Sequence, residues 1–267
     1  MKKVSFILLM TLGSFCQVQG QNSDSLTTVP SPVVKAQAEP MITDRPTQTV
    51  SSTILSKGTF QVETGVSLEF RPSSAENSTQ LLAPTSLFRL GVSEFIEVRL
   101  LGEIISNKLP SAENRTSGIS DLQVGAKFRV LNKDDVNAKI AIVTHLIAPT
   151  GSRGISINEF AGVNSITVSH EITKSIDLGY ALGYNYFTSK NGDFTYSGYL
   201  SAEINDKVGI YAESYGSYVR LLTLEASFDV GFTYLMKPNL QLDFSYGSGL
   251  NHKMNYAAIG FSWRTSN

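Results

Sequence analysis

Apolar and polar residues alternate without interruption from Phe60 to Phe70. One side of this stretch is apolar or β-branched (Phe60, Val62, Thr64, Val66, Leu68, Phe70), and the other is polar or small (Gln61, Glu63, Gly65, Ser67, Glu69). A period of two predicts a β-strand with two chemically different faces. A soluble sandwich and a membrane barrel both contain such strands, so the rest of the chain has to decide between them.

The same alternation recurs along the chain and predicts about twelve strands of roughly 9–13 residues, which is the length that a tilted strand needs to cross a bilayer. The predicted strands cover about 58–70, 84–92, 96–104, 121–130, 139–148, 160–171, 177–186, 195–204, 208–215, 224–234, 240–246 and 256–264. The second strand is predicted to begin at Pro84, because proline fits the first position of a strand. The stretch 160–171 alternates weakly, and its faces stay unassigned.

The connections between these strands alternate in length, and aromatic residues mark the strand ends. Polar loops are predicted at about 71–80, 106–118 and 151–159, whereas the intervening turns are short. An even strand number with short turns on one side is typical of bacterial outer-membrane proteins. The fold class predicted is therefore all-β: an antiparallel transmembrane outer-membrane β-barrel of about 12 strands, with short periplasmic turns and longer extracellular loops. A secreted sandwich is the alternative, but it does not require so many long amphipathic strands in succession.

The first 57 residues lack this period and predict three further parts. Lys2 and Lys3 followed by an apolar run predict a signal peptide over 1–20, with cleavage near Gly20. Residues 21–40 predict a flexible periplasmic linker, residues 41–57 a lead-in or a lumen plug, and residues 58–267 the barrel. Cys16 is the only cysteine, so the mature chain is expected to have no disulfide. The expected location is the outer membrane of a Gram-negative bacterium.

Charged residues on the polar faces are the candidate lumen or pathway residues. They are Glu63, Glu69, Arg89, Glu97, Arg99, Asp121, Lys127, Arg129, Glu213, Glu225, Asp229 and Asp243. These charges either fill a narrow interior as a network of ion pairs or line a selective path for a solute. The motif Asp44, Arg45, Pro46 is either a solvated lead-in or enters the barrel mouth and pairs with the lumen charges.

Other chemistry has little support in the sequence. The net charge of −1 gives no electrostatic basis for binding nucleic acid. His145, His170 and His252 lack metal-ligand spacing, and no catalytic or nucleotide-binding motif is found. We therefore expect no cofactor, no metal and no enzymatic activity. An outer-membrane hydrolase is a less favoured alternative, since it needs a Ser–His pair on the outer face and His145 is predicted to point inward.

Four stretches resemble one known family. They are Ile42–Pro46, Lys57–Gly65, Pro149–Gly151 and the closing run from Asp229 to Tyr246. They are similar to the meta-pathway phenol-degradation family of outer-membrane proteins, whose members are also called transporters. The resemblance implies a barrel with an uptake role, for aromatic or hydrophobic compounds among others.

The function predicted is thus a passive transporter or channel for small solutes. The alternative is a structural or partner-docking barrel with a plugged lumen. The expected partners are outer-membrane lipid, a small-molecule solute and the barrel-assembly machinery that inserts the chain.

Overall fold

A computed structural model describes residues 41–72, 77–108, 115–133 and 137–265. The signal peptide and linker predicted for residues 1–40 lie outside the described residues. Within the described part, no helix is long and apolar enough to cross a membrane. The described chain is built from β-strands joined by turns and loops.

The strands alternate in direction around a single sheet. They are β1 (Phe60–Arg71), β2 (Ser78–Gly91), β3 (Ile96–Lys108), β4 (Thr116–Ile119), β5 (Leu122–Lys133), β6 (Ala138–Ala148), β7 (Ala161–Thr173), β8 (Ile176–Phe187), β9 (Asp193–Asn205), β10 (Val208–Val219), β11 (Thr223–Lys237), β12 (Leu240–Gly249) and β13 (Asn255–Arg264). Each pairs with its neighbours in antiparallel fashion, and β4 is a four-residue strand beside the end of β3.

The sheet closes on itself because the first and last strands pair. Gln61 of β1 lies opposite Arg264 of β13, and the register continues to Phe70 and Asn255. Twelve long strands therefore form a closed antiparallel barrel, which confirms the predicted fold class. Closure pairs the edge of the first strand with that of the last, as strands in a lipid environment require.

The two faces of the barrel wall have opposite chemistry. Outward side chains such as Leu182 and Leu200 are 54% and 55% exposed, whereas the inward Gln61 and Glu97 are fully buried. An apolar outside around a polar inside is the arrangement of a membrane barrel. The weakly alternating strand β7 follows the same rule, because Thr167 points inward and Ile166 outward.

Strand β2 corrects one sequence prediction. It begins at Ser78 rather than at Pro84, so Pro84 lies inside the strand and the predicted loop at 71–80 shrinks. The register of β2 against β3 shifts between Leu82 and Thr85, and its register against β1 shifts between Gly65 and Ser67 of β1. A bulge of this kind interrupts the ladder locally, which is where a residue without an N–H can be placed inside a strand.

A second correction concerns the loop predicted at 106–118. Strand β3 continues to Lys108, and β4 pairs with it from Thr116 to Ile119. Ser120 and Asp121 then interrupt the strand pairing, and β5 pairs with the first half of β3. The short run of β4 carries no repeated apolar period, so the sequence pattern did not show it.

The two ends of the barrel differ in their connections. The short turns at 92–95, 174–175, 206–207 and 238–239 lie at the end that holds Phe60 and Arg264, which is the periplasmic end in barrels of this class. Phe60 and Trp263 lie near this end, and Phe70 and Tyr246 near the opposite one, as expected for interfacial aromatic residues.

Candidate functional site

Residues 41–57, called the plug below, run inside the barrel. Gln61 Nε2 donates to the carbonyl oxygen of Ile42 at 2.7 Å, near the periplasmic end of β1. From there the plug runs away from the periplasmic end and reaches the middle of β10 at Thr49. It then returns toward the periplasmic end at Gly58, whose N–H donates to the carbonyl oxygen of Gly91. The plug is therefore a hairpin-like loop with both ends at the periplasmic side.

Asp44 is the centre of an ionic cluster in the periplasmic half of the lumen. Its carboxylate lies 2.6 Å from Arg99 Nη2, 3.1 Å from Lys127 Nζ and 3.8 Å from Arg89 Nη1. Burial alone would raise the pKa of Asp44, but these three cations hold that pKa well below its usual range. Asp44 therefore enters the lumen as a buried anion.

Carboxylates of the wall balance the cations around Asp44. Glu97 accepts two hydrogen bonds from Arg89, at 2.8 and 2.9 Å, and one from Arg99 at 2.8 Å. Glu63 lies 2.6 Å from Arg89 and accepts the N–H groups of Asp44 and Arg45, both at 2.9 Å. Since each charge has several partners, the cluster avoids the uncompensated buried charge that would destabilise it.

Arg45 fastens the plug to the opposite wall. Its Nε and Nη2 donate to Asp243 of β12 at 3.2 and 2.8 Å. The guanidinium crosses the paired residues Gly65 and Gly260, where an added Cβ would lie 2.5 and 2.4 Å from Arg45 Nη2. Two glycines facing each other on β1 and β13 thus provide the space that this side chain needs.

The tip of the plug is held by Glu213 of β10. The N–H groups of Gln48 and Thr49 donate to its two carboxylate oxygens at 2.6 and 2.7 Å. The Thr49 hydroxyl is also bonded to Glu213 and lies 2.7 Å from Ser197 Oγ. One inward carboxylate therefore accepts two backbone N–H groups at the turn of the plug.

The second half of the plug, which runs from Thr49 back to the periplasmic end, is hydrogen-bonded to strands on the other side of the lumen. Thr167 of β7 donates to the carbonyl oxygen of Val50 at 2.6 Å, and the N–H of Leu55 donates to Glu97 at 3.0 Å. Gly91 of β2 permits close approach here, because a Cβ would lie 2.2 Å from the carbonyl oxygen of Ser56. The plug is thus bonded to the wall along its whole length.

Inward tyrosines lie flat against glycines of the adjacent strand. A Cβ on Gly179 would lie 2.4 Å from the Tyr199 ring, and a Cβ on Gly247 would lie 2.2 Å from the Tyr256 ring. Each is a directly paired residue across the ladder. Glycine on the polar face therefore makes room for an aromatic ring that covers the backbone, as in aromatic rescue of glycine.

Above the plug, the lumen opens into a cavity of about 590 Å³, called the vestibule below. Gln48 and Val50 of the plug form part of its lining, together with Tyr215, Met254 and Tyr256 of the wall. Arg71 bonds Glu69 and lies 3.9 Å from Glu225 at this level. The volume is within the range of small-molecule sites.

The structure distributes the predicted lumen residues, apart from Asp121, among four places. Those that contact the plug are Glu63, Arg89, Glu97, Arg99, Lys127, Glu213 and Asp243. Glu69 and Glu225 line the vestibule, and Asp229 accepts the hydroxyl of Tyr256 beside the plug tip. Arg129 lies opposite the inward Ala141 near the periplasmic end.

Asp121 has a different position from the other predicted lumen residues. It is buried at the break between β4 and β5, where its carboxylate accepts the N–H groups of Gly151 and Ile157 at 2.8 and 2.7 Å. Although burial opposes it, hydrogen bonding from Ser156, Gly151 and Ile157 lowers the pKa of Asp121. Asp121 thus anchors the extracellular loop at 149–160.

Sequence reasoning missed the residues that act through backbone or shape. Gln48 and Thr49 present backbone N–H groups to Glu213, and Gly65 and Gly260 make room for Arg45. The available signal was a glycine at matching positions on the polar faces of the first and last strands.

His145 and His170 lie on opposite faces of the barrel wall. His145 accepts Arg99 Nε at 3.0 Å and contacts Gln123, whereas His170 stacks on Tyr180 on the outer face. Among the described residues, no group of three or more His, Cys, Asp or Glu side chains lies close enough to hold a metal ion.

Comparisons with known proteins agree with this architecture. An outer membrane channel from Pseudomonas putida F1 superposes with a TM-score of 0.65 at 10% identity, over 80% of this chain and 97% of that one. The KdgM porin in complex with disordered oligogalacturonate gives 0.52 at 10% identity, over 76% and 98%. Among curated proteins, no sequence matches this chain significantly. Residues 43–264 match the family described as "Putative MetA-pathway of phenol degradation", and the chain belongs to that family.

Proposed function

We propose that this protein is an outer-membrane channel for small solutes that is closed at rest by its own plug. The observation that carries the proposal is the manner in which the lumen is filled. A separate chain segment, and not only side chains of the wall, occupies it through hydrogen bonds and ion pairs.

The vestibule supports entry of the solute from outside. Its cavity of about 590 Å³ could hold a compact molecule, and the plug residues Gln48 and Val50 form part of its lining. A solute bound there contacts the plug directly. Movement of the plug toward the periplasm would then extend the vestibule through the barrel.

We infer that the solutes include small aromatic or hydrophobic compounds. Met254 and Tyr256 form an apolar cluster on the vestibule wall, with Tyr215 packed against it. The family description, which names phenol degradation, points to the same class. Glu69 and Glu225 around Arg71 leave a slight excess of negative charge, so we expect anions to be disfavoured.

A structural or partner-docking barrel with a permanently closed lumen is the competing function. It is favoured by the number of bonds that hold the plug, since Asp44 alone contacts three cations. The two functions differ in whether the full-length chain passes any solute.

Liposome swelling and planar-bilayer conductance test the proposal. The full-length chain should show low flux with brief openings, and a chain lacking residues 41–57 should show a larger and steady conductance. Phenol-sized neutral solutes should enter faster than anions of equal size. A full-length protein that leaves bilayers as tight as empty ones, with every solute tried, would support the permanently closed barrel instead.

A further inference from the structure

The tip of the plug rests on two carboxyl groups rather than one. Glu213 of β10, which holds Gln48 and Thr49, lies directly opposite Asp229 of β11 in the ladder. Side chains at directly opposite positions of an antiparallel ladder have Cβ atoms about 4.5–5.5 Å apart, so these two carboxyl groups can reach each other. Both side chains are buried, with Asp229 fully inaccessible.

The oxygens of this pair are unequally satisfied. Both oxygens of Glu213 accept hydrogen bonds from the plug, and Asp229 Oδ2 accepts the hydroxyl of Tyr256. Asp229 Oδ1 is buried and has no hydrogen-bond partner. A buried acceptor without a donor is costly, and its presence next to a second carboxylate indicates a missing proton or cation.

The surrounding groups do not supply that positive charge. The plug cation Arg45 is paired with Asp243, and Arg89, Arg99 and Lys127 surround Asp44. The titratable and charged groups nearest to the pair on the neighbouring elements are Asp44 and Arg45 of the plug, Glu69 of β1, Tyr199 of β9, Tyr211 and Tyr215 of β10, Asp243 of β12 and Tyr256 of β13. Two adjacent ionised carboxylates would repel each other strongly in such a place.

We propose that Glu213 and Asp229 share one proton and form a proton-operated latch for the tip of the plug. With the proton on Asp229 Oδ1, that oxygen donates to Glu213, and Glu213 remains an acceptor for Gln48 and Thr49. Every oxygen of the pair is then satisfied. A proton fits better than a metal ion, because the described residues bring no third carboxylate or histidine to this place.

The direction in which pH shifts the position of the plug depends on when water can reach the two carboxylates. Gln48 lies at the vestibule, so withdrawal of the tip would admit water to both carboxylates. Loss of the proton leaves two like charges that are better tolerated in the hydrated, withdrawn state. The seated plug therefore binds one more proton than the withdrawn plug, and raising the pH favours withdrawal. This latch is a regulation of the channel proposed above and rests on that function.

Thiol labelling of the plug tests the latch without measuring transport. Ser52 is 4% exposed in the seated plug, so Ser52→Cys should react with a polar maleimide only after withdrawal. Asn191→Cys, in an exposed loop, gives the reference rate at each pH. Both are made with Cys16→Ser in full-length protein in isolated outer membranes. Their rate ratio removes the intrinsic pH dependence of the thiol reaction.

The expected ratio rises about ten-fold or more between pH 6 and pH 9, because release of one proton shifts the equilibrium by at most about ten-fold per pH unit. Asp229→Asn supplies a permanent donor in the same shape and should hold the ratio constant over this range. Glu203→Gln, a matched change at a carboxylate of β9 that does not line the vestibule, should respond as the unmodified chain does.

Either of two results would overturn the latch. One is a ratio that does not change with pH in the unmodified chain, and the other is a pH response that survives Asp229→Asn. Heat-modified gel mobility shows whether each variant is a folded barrel. If the ratio responds as expected but no solute crosses at any pH, the channel function fails while the latch stands.

Discussion

Arg45 and Asp243 form a two-point ion pair that joins the plug to the barrel wall, with Nε and Nη2 at 3.2 and 2.8 Å from the two carboxylate oxygens. The Asp243 side chain is fully buried, whereas Arg45 keeps partial access to solvent. Two parallel bonds fix the orientation of the guanidinium as well as its position. Asp243 thus depends on the plug for its only described ionic partner.

Removing Arg45 should unseat the plug. Arg45→Ala leaves the buried Asp243 without its cation, a change that typically destabilises by about 3–5 kcal/mol. Withdrawal of the plug hydrates Asp243, so the substitution destabilises only the state in which the plug occupies the lumen. We expect Ser52→Cys labelling to rise by at least about 100-fold and the steady conductance to increase.

Two control variants accompany Arg45→Ala. Arg45→Lys keeps the charge but loses the two parallel hydrogen bonds. Its labelling rate should therefore lie between those of the unmodified chain and Arg45→Ala. Arg71→Ala removes a cation from the vestibule, where Arg71 contacts Glu69 and Glu225 but not the plug. If Arg71→Ala opened the plug as much as Arg45→Ala, the ion pair with Asp243 would not be what holds it.

Gly260 should tolerate no side chain while Arg45 is in place. The three atoms nearest to an added Cβ all belong to Arg45, at 2.4 to 2.6 Å. Gly260→Ala should therefore displace Arg45 and increase plug labelling about ten-fold or more, since contacts under 3.0 Å force movement. In a double-mutant cycle, Gly260→Ala should add little to Arg45→Ala.

Gly102→Ala is the matched control for Gly260→Ala. A Cβ at Gly102 meets only Leu122 Cδ1 at 3.7 Å, which is an ordinary contact. Its labelling and conductance should equal those of the unmodified chain. Full additivity of Gly260→Ala and Arg45→Ala would mean that the glycine acts on the barrel rather than on Arg45.

The barrel was predictable because its signal is local. The unbroken alternation from Phe60 to Phe70 determines which face meets lipid, and the same rule repeats in each long strand. Pro84 misled the prediction because a bulge depends on pairing with a neighbouring strand, which one strand's sequence does not encode. Strand β4 was missed for a related reason, since it exists through its pairing with β3.

The site was only partly predictable because its bonds are long-range. Inward charges such as Glu63 and Glu213 followed from the period of two, but their partners are backbone N–H groups of the plug. Residues 41–57 have no apolar period, and nothing local distinguishes a solvated lead-in from a plug. Only the pairing of their polar groups with the wall placed them in the lumen.

Asp44→Asn should release the lower half of the plug. It removes the negative charge that Arg89, Arg99 and Lys127 share, which leaves three cations near each other in a buried cluster. We expect Ser52→Cys labelling to rise by about 100-fold or more at pH 7. Glu69→Gln, which removes a carboxylate from the vestibule wall, should leave labelling unchanged.

The pH response of Asp44 should differ from that of the latch. The lowered pKa of Asp44 contributes stability to the seated plug above the ordinary Asp range, and this stability is lost only as the pH falls through the lowered value. Between pH 5 and pH 7 the contribution of Asp44 should therefore be constant. A labelling ratio that rose steadily as the pH fell over this interval would contradict the buried, ionised state of Asp44.

Asp121 should control the extracellular loop at 149–160 rather than the lumen. Its carboxylate accepts the N–H groups of Gly151 and Ile157, on either side of the exposed Arg153. Hydrogen bonds to a charged acceptor contribute about 1.5–3 kcal/mol each. Asp121→Ala should then speed trypsin cleavage after Arg153 in intact outer membranes by about 100-fold, while plug labelling stays unchanged.

A graded series of substitutions separates loop anchoring from a role in the lumen. Asp121→Asn retains one carbonyl acceptor and should be cleaved at an intermediate rate, and Arg153→Gln added to Asp121→Ala should abolish the new fragment. Since the anchored N–H groups belong to the loop alone, conductance should not follow the cleavage rate across the series. Conductance that did follow it would return Asp121 to the solute pathway, as the sequence pattern first predicted.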